Sequence, residues 1–494
     1  MSLSFDPDQL SFPKDSFING KPFSGTGADI GVHRPSDGKL VHSFKEIDAE
    51  DVDVAVTSAH QAFRTSGWAS GEPRARSRVM RRWADLIEQH GDELARMEAA
   101  FSSRPIAETR TRDVPVTAEI VRFYGECAAR MDGEVLATRS DIYSLTIPEP
   151  YGVVAAISPW NVPMILAMIK VAPALAAGNA VVIKPSELTP FSLLRIAELA
   201  IEAGLPAGLF NVLIGTGSKT GSALVRHPLV RYVSFTGSTA TGAAIMAEAA
   251  RHGLKPVSLE LGGKNPQIVF ADAPDLDQVA RIVANAATRN SGQLCFCGSR
   301  LIVERRIADR FLSAVKAGMQ AAIAGPTWEE TTSLPPIINK TQQGRISNIV
   351  SRARDTGAEA LIGGEAFEAG GGHFYKPTLV TCPSDSNVIF EEEVFGPVLA
   401  VQTFDDAEEA LKLADHPLYG LTAGIHTSNI DRALHTAKAV DAGMVWVNCY
   451  GRSMDIASPF GGHKQSGFGK DFGVAGFEKY FNKKSVWVQL NTPT

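Results

Sequence analysis

Cysteine is scarce in this chain. Five occur in 494 residues, at Cys127, Cys295, Cys297, Cys382 and Cys449, and no two form a CxxC pair. An odd, scattered set excludes a disulfide framework and fits a reducing compartment, where a thiol stays available for chemistry. Long apolar runs are also missing. The longest, 165–183, is interrupted by Lys170, Pro173, Gly178 and Asn179, so no membrane span is expected. The first residues include acids and lack an apolar core, which excludes a signal peptide and points to the cytoplasm. No basic excess exists: Lys and Arg number 48 against 54 Asp and Glu, a net charge of -6, which argues against a nucleic-acid partner. The local cluster Arg74, Arg76, Arg78, Arg81 and Arg82 reads as the solvated face of a helix. There is no internal repeat, no metal-ligand cluster and no GxGxxG fingerprint. A dinucleotide site cannot be argued here from the usual glycine signature.

What is present is an alternation of short β-branched runs and helical patterns. A chain of this length is expected to form two or three domains. Residues 48–66 and 72–101 carry helical spacing, the second broken at Gly91. From residue 152 onward strands are expected at 152–157, 180–183, 210–214, 232–235 and 256–261, with helices between them. That order predicts an α/β fold with a doubly wound parallel sheet, which binds ligands at the carboxyl ends of its strands. A second α/β region follows, with strands at 267–271, 300–304, 399–404, 422–426 and 444–448 and helices near 276–290, 307–323 and 341–356. The sequence Gly262-Gly263-Lys264-Asn265-Pro266 between the regions reads as a hinge. Two extended pieces, 139–148 and 485–490, fit neither region, and apolar strands of this kind need a partner.

Five features carry chemistry. Cys295 lies in Gly292-Gln293-Leu294-Cys295, on a glycine-bounded loop leading into a strand. By itself it is as well explained as a buried apolar residue. Glu260 ends an apolar strand and is followed by two glycines. It is either a sheet-edge carboxylate or a general base. Asn161, in Pro159-Trp160-Asn161-Val162-Pro163, presents an amide that can face an oxyanion, or a plain turn. Lys184 and Glu187, after the second strand, suit a ribose or a helix start. Gly237 and Ser238 open a helix whose N–H groups suit a phosphate, and Gly215–Ser218 is a vaguer candidate of the same kind.

Together and in this order, these motifs resemble the aldehyde dehydrogenase superfamily. Further support comes from Glu391-Glu-Glu393-Val-Phe395-Gly-Pro397, Ser458-Pro-Phe460-Gly-Gly462 and Lys464-Gln-Ser-Gly467. The resemblance implies that Cys295 is the nucleophile, that Asn161 and the Cys295 N–H hold the oxyanion, and that Glu260 activates the hydrolytic water. It implies NAD as cofactor, held by Trp160, Lys184, Glu187, Gly237, Ser238, Glu393 and Phe395. Glu187 disfavours the 2′-phosphate of NADP, although some members with Glu there tolerate it. It also implies an organisation: 1–131 and 150–262 as the NAD-binding domain, 263–475 as the catalytic domain, and 132–149 with 476–494 as a small β oligomerisation element of a homodimer or homotetramer. Cys297, two residues on, is read as packing.

The substrate is left open. Val162, Ile165, Leu166, Ile169, Leu294, Phe296 and Phe460 are expected to line an apolar tunnel for an aliphatic or aromatic aldehyde. Asp455 would suit an amino-aldehyde and Arg452 a semialdehyde, unless the two pair with each other or face water. The rivals are a CoA-acylating dehydrogenase, disfavoured by Glu260, and a cysteine-dependent esterase, which would not need Lys184, Glu187 or Asn161. Two departures from the family pattern stand out. Val162 replaces a common Phe. Phe101-Ser-Ser-Arg-Pro105 replaces Glu-x-Gly-Lys-Pro, and the sequence offers no physical account of it.

Overall fold

Two parallel sheets organise the chain, and each grows from the β-branched runs noted above. The computed structural model describes residues 4–384, 386–451 and 455–491. In the first sheet, Val153–Ile157 has Ala180–Lys184 and then Phe210–Val212 on one side, with Val230–Thr236 and Val257–Glu260 on the other. Every residue of Val153–Ile157 and Ala180–Lys184 is buried, as expected for strands covered on both faces. The winding reverses between Val153–Ile157 and Val230–Thr236, where Ile157 pairs with Phe235. A crevice at the carboxyl ends of these two strands is therefore expected.

The second sheet orders six parallel strands: Thr378–Thr381, Val398–Phe404, Arg300–Glu304, Pro266–Val269, Thr422–His426 and Met444–Val447. Glu359–Ile362 adds an antiparallel edge. It and Thr378–Thr381 were not expected, being only four residues each. The helix Val114–Cys127 was also missed. Its buried face includes Val114, Thr117, Ile120 and Val121, β-branched residues that argue weakly for helix.

The two unassigned extended pieces pair with each other; the first is shifted to Ile142–Pro150 and the second extends back to Phe481. Phe481–Gln489 runs antiparallel to Ile142–Pro150 from Phe481↔Pro150 to Gln489↔Ile142, and Glu134–Leu136 completes a three-stranded sheet. The chain also returns to the first sheet late. Gly467–Phe468 pairs with Leu259 and Glu260, although it falls inside the stretch expected to be catalytic.

Two expectations need correction. Arg76 is not on a solvated face. It is buried, with Nε donating to Ala176 O at 3.1 Å and Nη1 to Trp68 O at 2.9 Å, because its helix packs against the helix Pro163–Ala176. Arg74, Arg78, Arg81 and Arg82 are exposed. The Gly262–Pro266 connection is not an open hinge either. All five residues are buried, and Gly263 N–H donates to Glu393 at 3.1 Å. Among the described residues, no helix is long and apolar enough to cross a membrane, and no cluster of His, Cys, Asp and Glu could hold a metal ion.

Candidate active site

Cys295 is carried by a loop of unusual backbone. After the helix Leu276–Thr288, Asn290 (φ 50°), Ser291 (φ 52°) and Gly292 (φ 70°) follow one another in the left-handed region. That conformation costs L residues roughly 1–2 kcal/mol each, so it persists only where side chains hold it. Asn290 Nδ2 donates to Asn161 O at 3.0 Å, Ser291 Oγ to Pro335 O, and Gln293 Nε2 to Pro336 O at 3.2 Å. Gly292 has no substitute, since a Cβ there would lie 2.0 Å from Gly396 O. Beyond the loop, Asn265 Nδ2 donates to the carbonyls of Cys295 at 2.9 Å and Cys297 at 2.8 Å. Cys297 itself is buried in the core.

The unexplained Phe101-Ser-Ser-Arg-Pro105 departure has a structural role here. Arg104 is fully buried and its guanidinium grips Asp113 at 2.7 and 2.9 Å and Glu108 at 2.6 Å. Glu108 in turn accepts from Arg289 Nε and Nη2 at 2.9–3.1 Å. The chain Arg104–Glu108–Arg289 thus anchors the residue that precedes the left-handed run.

Two cavities meet at Cys295. One lies at the switch point of the first sheet and is lined by Trp160, Asn161, Gly237, Ser238, Cys295, Glu393 and Phe395. The other is lined by all seven apolar tunnel residues expected, Val162, Ile165, Leu166, Ile169, Leu294, Phe296 and Phe460, together with Glu260. Cys295, Asn161, Leu166 and Thr236 belong to both walls. Asn161 Nδ2 donates to Gln293 O at 2.9 Å, which leaves one amide N–H for a ligand.

The carboxylates have distinct surroundings. Glu260 is 5% exposed, and neither of its oxygens has a hydrogen-bond partner among the described residues. It is no sheet-edge surface residue. Burial, with the Asp471 charge added, lifts its pKa well above the ordinary carboxyl range. Asp471 lines the same cavity and is held between Lys170 at 3.2 Å and Lys479 at 2.5 Å. Burial also raises the Cys295 thiol, and Glu393 and Glu260 raise it further. The thiol is therefore protonated at rest, below the few per cent thiolate of an unperturbed cysteine at neutral pH. Burial brings Glu393 to about 7.

On the cofactor side, Lys184 Nζ donates to Gly215 O at 2.9 Å and pairs with Glu187 at 3.2 Å. The pair sits at the carboxyl end of the strand next to Val153–Ile157, and not in the wall around Cys295. Ser238 caps the helix Thr239–Arg251, its Oγ accepting from Thr241 N–H at 3.2 Å. Phe395 (φ 54°) meets Trp160 edge-on at 5.4 Å. The Gly215–Ser218 alternative is filled from within, because Thr216 N–H and Oγ1 both donate to Glu46. The residues present fit a dinucleotide. The crevice is at the switch point, Thr236 Oγ1 in its wall is buried without a partner among the described residues, and a Cβ on Gly262 would strike Glu393 at 2.3 Å.

Asp455 is not brought to the tunnel. It is exposed and its Oδ1 accepts from Ala457 N–H at 3.1 Å, an Asx turn that points it along its own loop. Arg452 lies outside the described residues. Sequence reasoning missed Arg112, Thr236, Asp471 and Phe472 in the tunnel, and Gln342 and Arg345 in the crevice. Gln342 Nε2 and Arg345 Nη2 donate to the carbonyls of Phe395 at 3.0 Å and Glu393 at 2.8 Å, fixing that loop. Asp471 was within reach, four residues past the Lys464-Gln-Ser-Gly467 motif; the others carry no local signal.

Comparison with known proteins agrees with this geometry. The profile described as "Aldehyde dehydrogenase family" matches residues 23–486. An aminoacetaldehyde dehydrogenase of Pseudomonas aeruginosa is 39% identical over 98% of this chain and 97% of its own. An indole-3-acetaldehyde dehydrogenase solved with NAD+ superposes with a TM-score of 0.95 at 41% identity, covering 98% of both chains. A gamma-glutamyl-gamma-aminobutyraldehyde dehydrogenase from Burkholderia cenocepacia gives 0.96 at 40% identity, again over 98% of each. With a half-buried thiol, an amide donor and an unpartnered carboxyl gathered where an apolar tunnel meets a dinucleotide crevice, and with these relatives along almost its full length, this chain belongs to the aldehyde dehydrogenase family.

Proposed function

We propose that this protein oxidises an aldehyde to the free carboxylic acid with NAD, through a covalent adduct on Cys295. The observation that carries the reading is the meeting of two differently lined cavities at Cys295 and Asn161. Cys295 gives its proton to solvent water, and the thiolate attacks the carbonyl carbon. A C–S bond forms and the carbonyl π pair moves onto oxygen. The free Asn161 N–H and the Cys295 backbone N–H hold that oxyanion. NAD, when bound, supplies the hydride acceptor. Trp160, Gly237, Ser238, Glu393 and Phe395 would hold its inner half, and Lys184 and Glu187 its adenosine ribose. Glu187 favours NAD over NADP.

Loss of hydride leaves an acyl thioester on Cys295. Glu260 then takes a proton from water as the water oxygen bonds to the acyl carbon. The C–S bond breaks, and the thiolate regains a proton. A base with a raised pKa takes that proton more readily once it is ionised, and no protein donor competes for its oxygens among the described residues. This supports hydrolysis over transfer to CoA or simple ester cleavage. The apolar tunnel supports an aliphatic or aromatic body. The absence of any disulfide among the described residues fits the cytoplasm. Exposed Tyr143, Ile147, Trp487 and Val488 on the three-stranded sheet support a homodimer or homotetramer.

The test is NADH absorbance with protein, NAD and an aldehyde panel, without CoA. Cys295→Ala should bind NAD yet turn nothing over. Glu260→Gln should give one NADH per subunit and then slow by about 10²–10⁴. NADH formation that requires CoA would refute the hydrolytic reading.

A further inference from the structure

The tunnel wall contains one side chain that the chemistry above does not use. Arg112 lines the same cavity as Cys295 and Glu260, and its side chain is only 19% exposed. Its nearest carboxylate, Asp113, is 3.6 Å away, beyond hydrogen-bond reach, and already holds Arg104 through both oxygens. Among the described residues, the Arg112 guanidinium has no hydrogen-bond partner. The cluster around it is unbalanced. Arg104, Arg112 and Arg289 face the carboxylates of Asp113 and Glu108. Glu98 is the next carboxyl, and it is spent on Ser192 Oγ and Met164 N–H. Burial, opposed by Asp113 and reinforced by Arg289 and Arg104, brings the Arg112 pKa down to about 10, so it stays charged at neutral pH. A mostly buried guanidinium whose nearest carboxylate is already committed to a second arginine is poorly neutralised, and a carboxylate is its best-matched partner.

The remaining charges of the cavity do not answer it. Asp471 is taken by Lys170 and Lys479, and burial with the Asp471 charge beside it disfavours the ionised form of Glu260. Resting on the aldehyde-oxidising reading, we propose that Arg112 binds a carboxylate at the end of the substrate remote from the aldehyde. The preferred substrates are then aldehyde acids with an apolar spacer.

The test compares 4-carboxybenzaldehyde, 4-methylbenzaldehyde and a 4-trimethylammonium benzaldehyde as substrates, and measures terephthalate binding by calorimetry. Wild type should favour the carboxylated aldehyde in kcat/KM by about 10- to 100-fold. Arg112→Met should erase that preference and terephthalate binding while changing 4-methylbenzaldehyde less than about threefold; Arg112→Lys should keep part of both. Equal wild-type rates on the three aldehydes, or an equal fall on all of them in Arg112→Met, would overturn the proposal. If no aldehyde yields NADH, the oxidation reading fails. Loss of terephthalate binding in Arg112→Met would still support the anion site, and its retention would sink it. Should Arg112→Met fail to fold, the wild-type preference and Arg112→Lys decide.

Discussion

Replacing Glu108 by Gln should loosen the Cys295 loop from a distance. Glu108 bridges Arg104 and Arg289, and its side chain is 26% exposed. Burial alone would raise its pKa, but Arg104 and Arg289 hold it down to about 2 from an ordinary 4.5. At about 1.36 kcal/mol per unit, that drop is worth about 3 kcal/mol. Breaking a buried ion pair by removing one partner costs a similar 3–5 kcal/mol. The sign follows from a depressed folded-state pKa. The contribution is complete above pH 4.5 and is lost as pH falls toward 2. At pH 7 the substitution should therefore cost about 3 kcal/mol. Arg289 directly precedes the Asn290–Gly292 run, so the loss should fall locally on residues 289–297. Hydrogen exchange followed by mass spectrometry should show that segment exchanging up to about 10²-fold faster, with kcat falling alongside. Glu88→Gln is the control. Its pair with Arg122 is half exposed on the Glu88 side and should cost under about 1 kcal/mol. Unchanged exchange and melting in Glu108→Gln would refute the argument that the bridge anchors the loop.

Three further outcomes are expected. Asn161→Ala should lower kcat by about 10²–10³ with little change in NAD affinity, measured by steady-state kinetics and fluorescence titration; an unchanged kcat removes Asn161 from the oxyanion site. Gly292→Ala, placing Cβ 2.0 Å from Gly396 O at a φ of 70°, should abolish activity or soluble yield, and a wild-type level of both would contradict the loop geometry. In protein without NAD, alkylation of Cys295 by iodoacetamide should rise about tenfold per pH unit up to at least pH 9, because the raised pKa keeps the thiolate scarce. A plateau below pH 8 would mean an ordinary or lowered pKa.

Much of this arrangement is legible in the sequence because its signals are local. The strands Ala180–Lys184 and Arg300–Glu304 read as β-branched runs, and Cys295, Glu260 and Asn161 each sit in a distinctive short motif. What escapes is set by contacts across the chain. Nothing near Arg112 or Gln342 in sequence says that it faces a cavity, since the wall is assembled from distant elements. Arg76 was misread for the same reason. A guanidinium buried against carbonyls of another helix looks, in sequence, like one facing water. The Arg104 motif gained meaning only when Glu108 and Arg289, separated by 181 residues, came together. Asp455 shows the opposite failure, a charged residue near a motif whose own turn directs it away.

The late return of the chain to the first sheet has a consequence for synthesis. The strand that ends in Glu260 gains its outer neighbour only from Gly467–Phe468, and Ile142–Pro150 gains its long partner only from Phe481–Gln489. On the ribosome, a chain that has already made every strand of the first sheet between Val153 and Glu260 still presents two unsatisfied edges. Those edges close only when the residues from Gly467 onward emerge. A product truncated there would carry a complete Cys295 loop and unpaired strands beside it. Such a product is a target for chaperones and proteases, and not a less active enzyme.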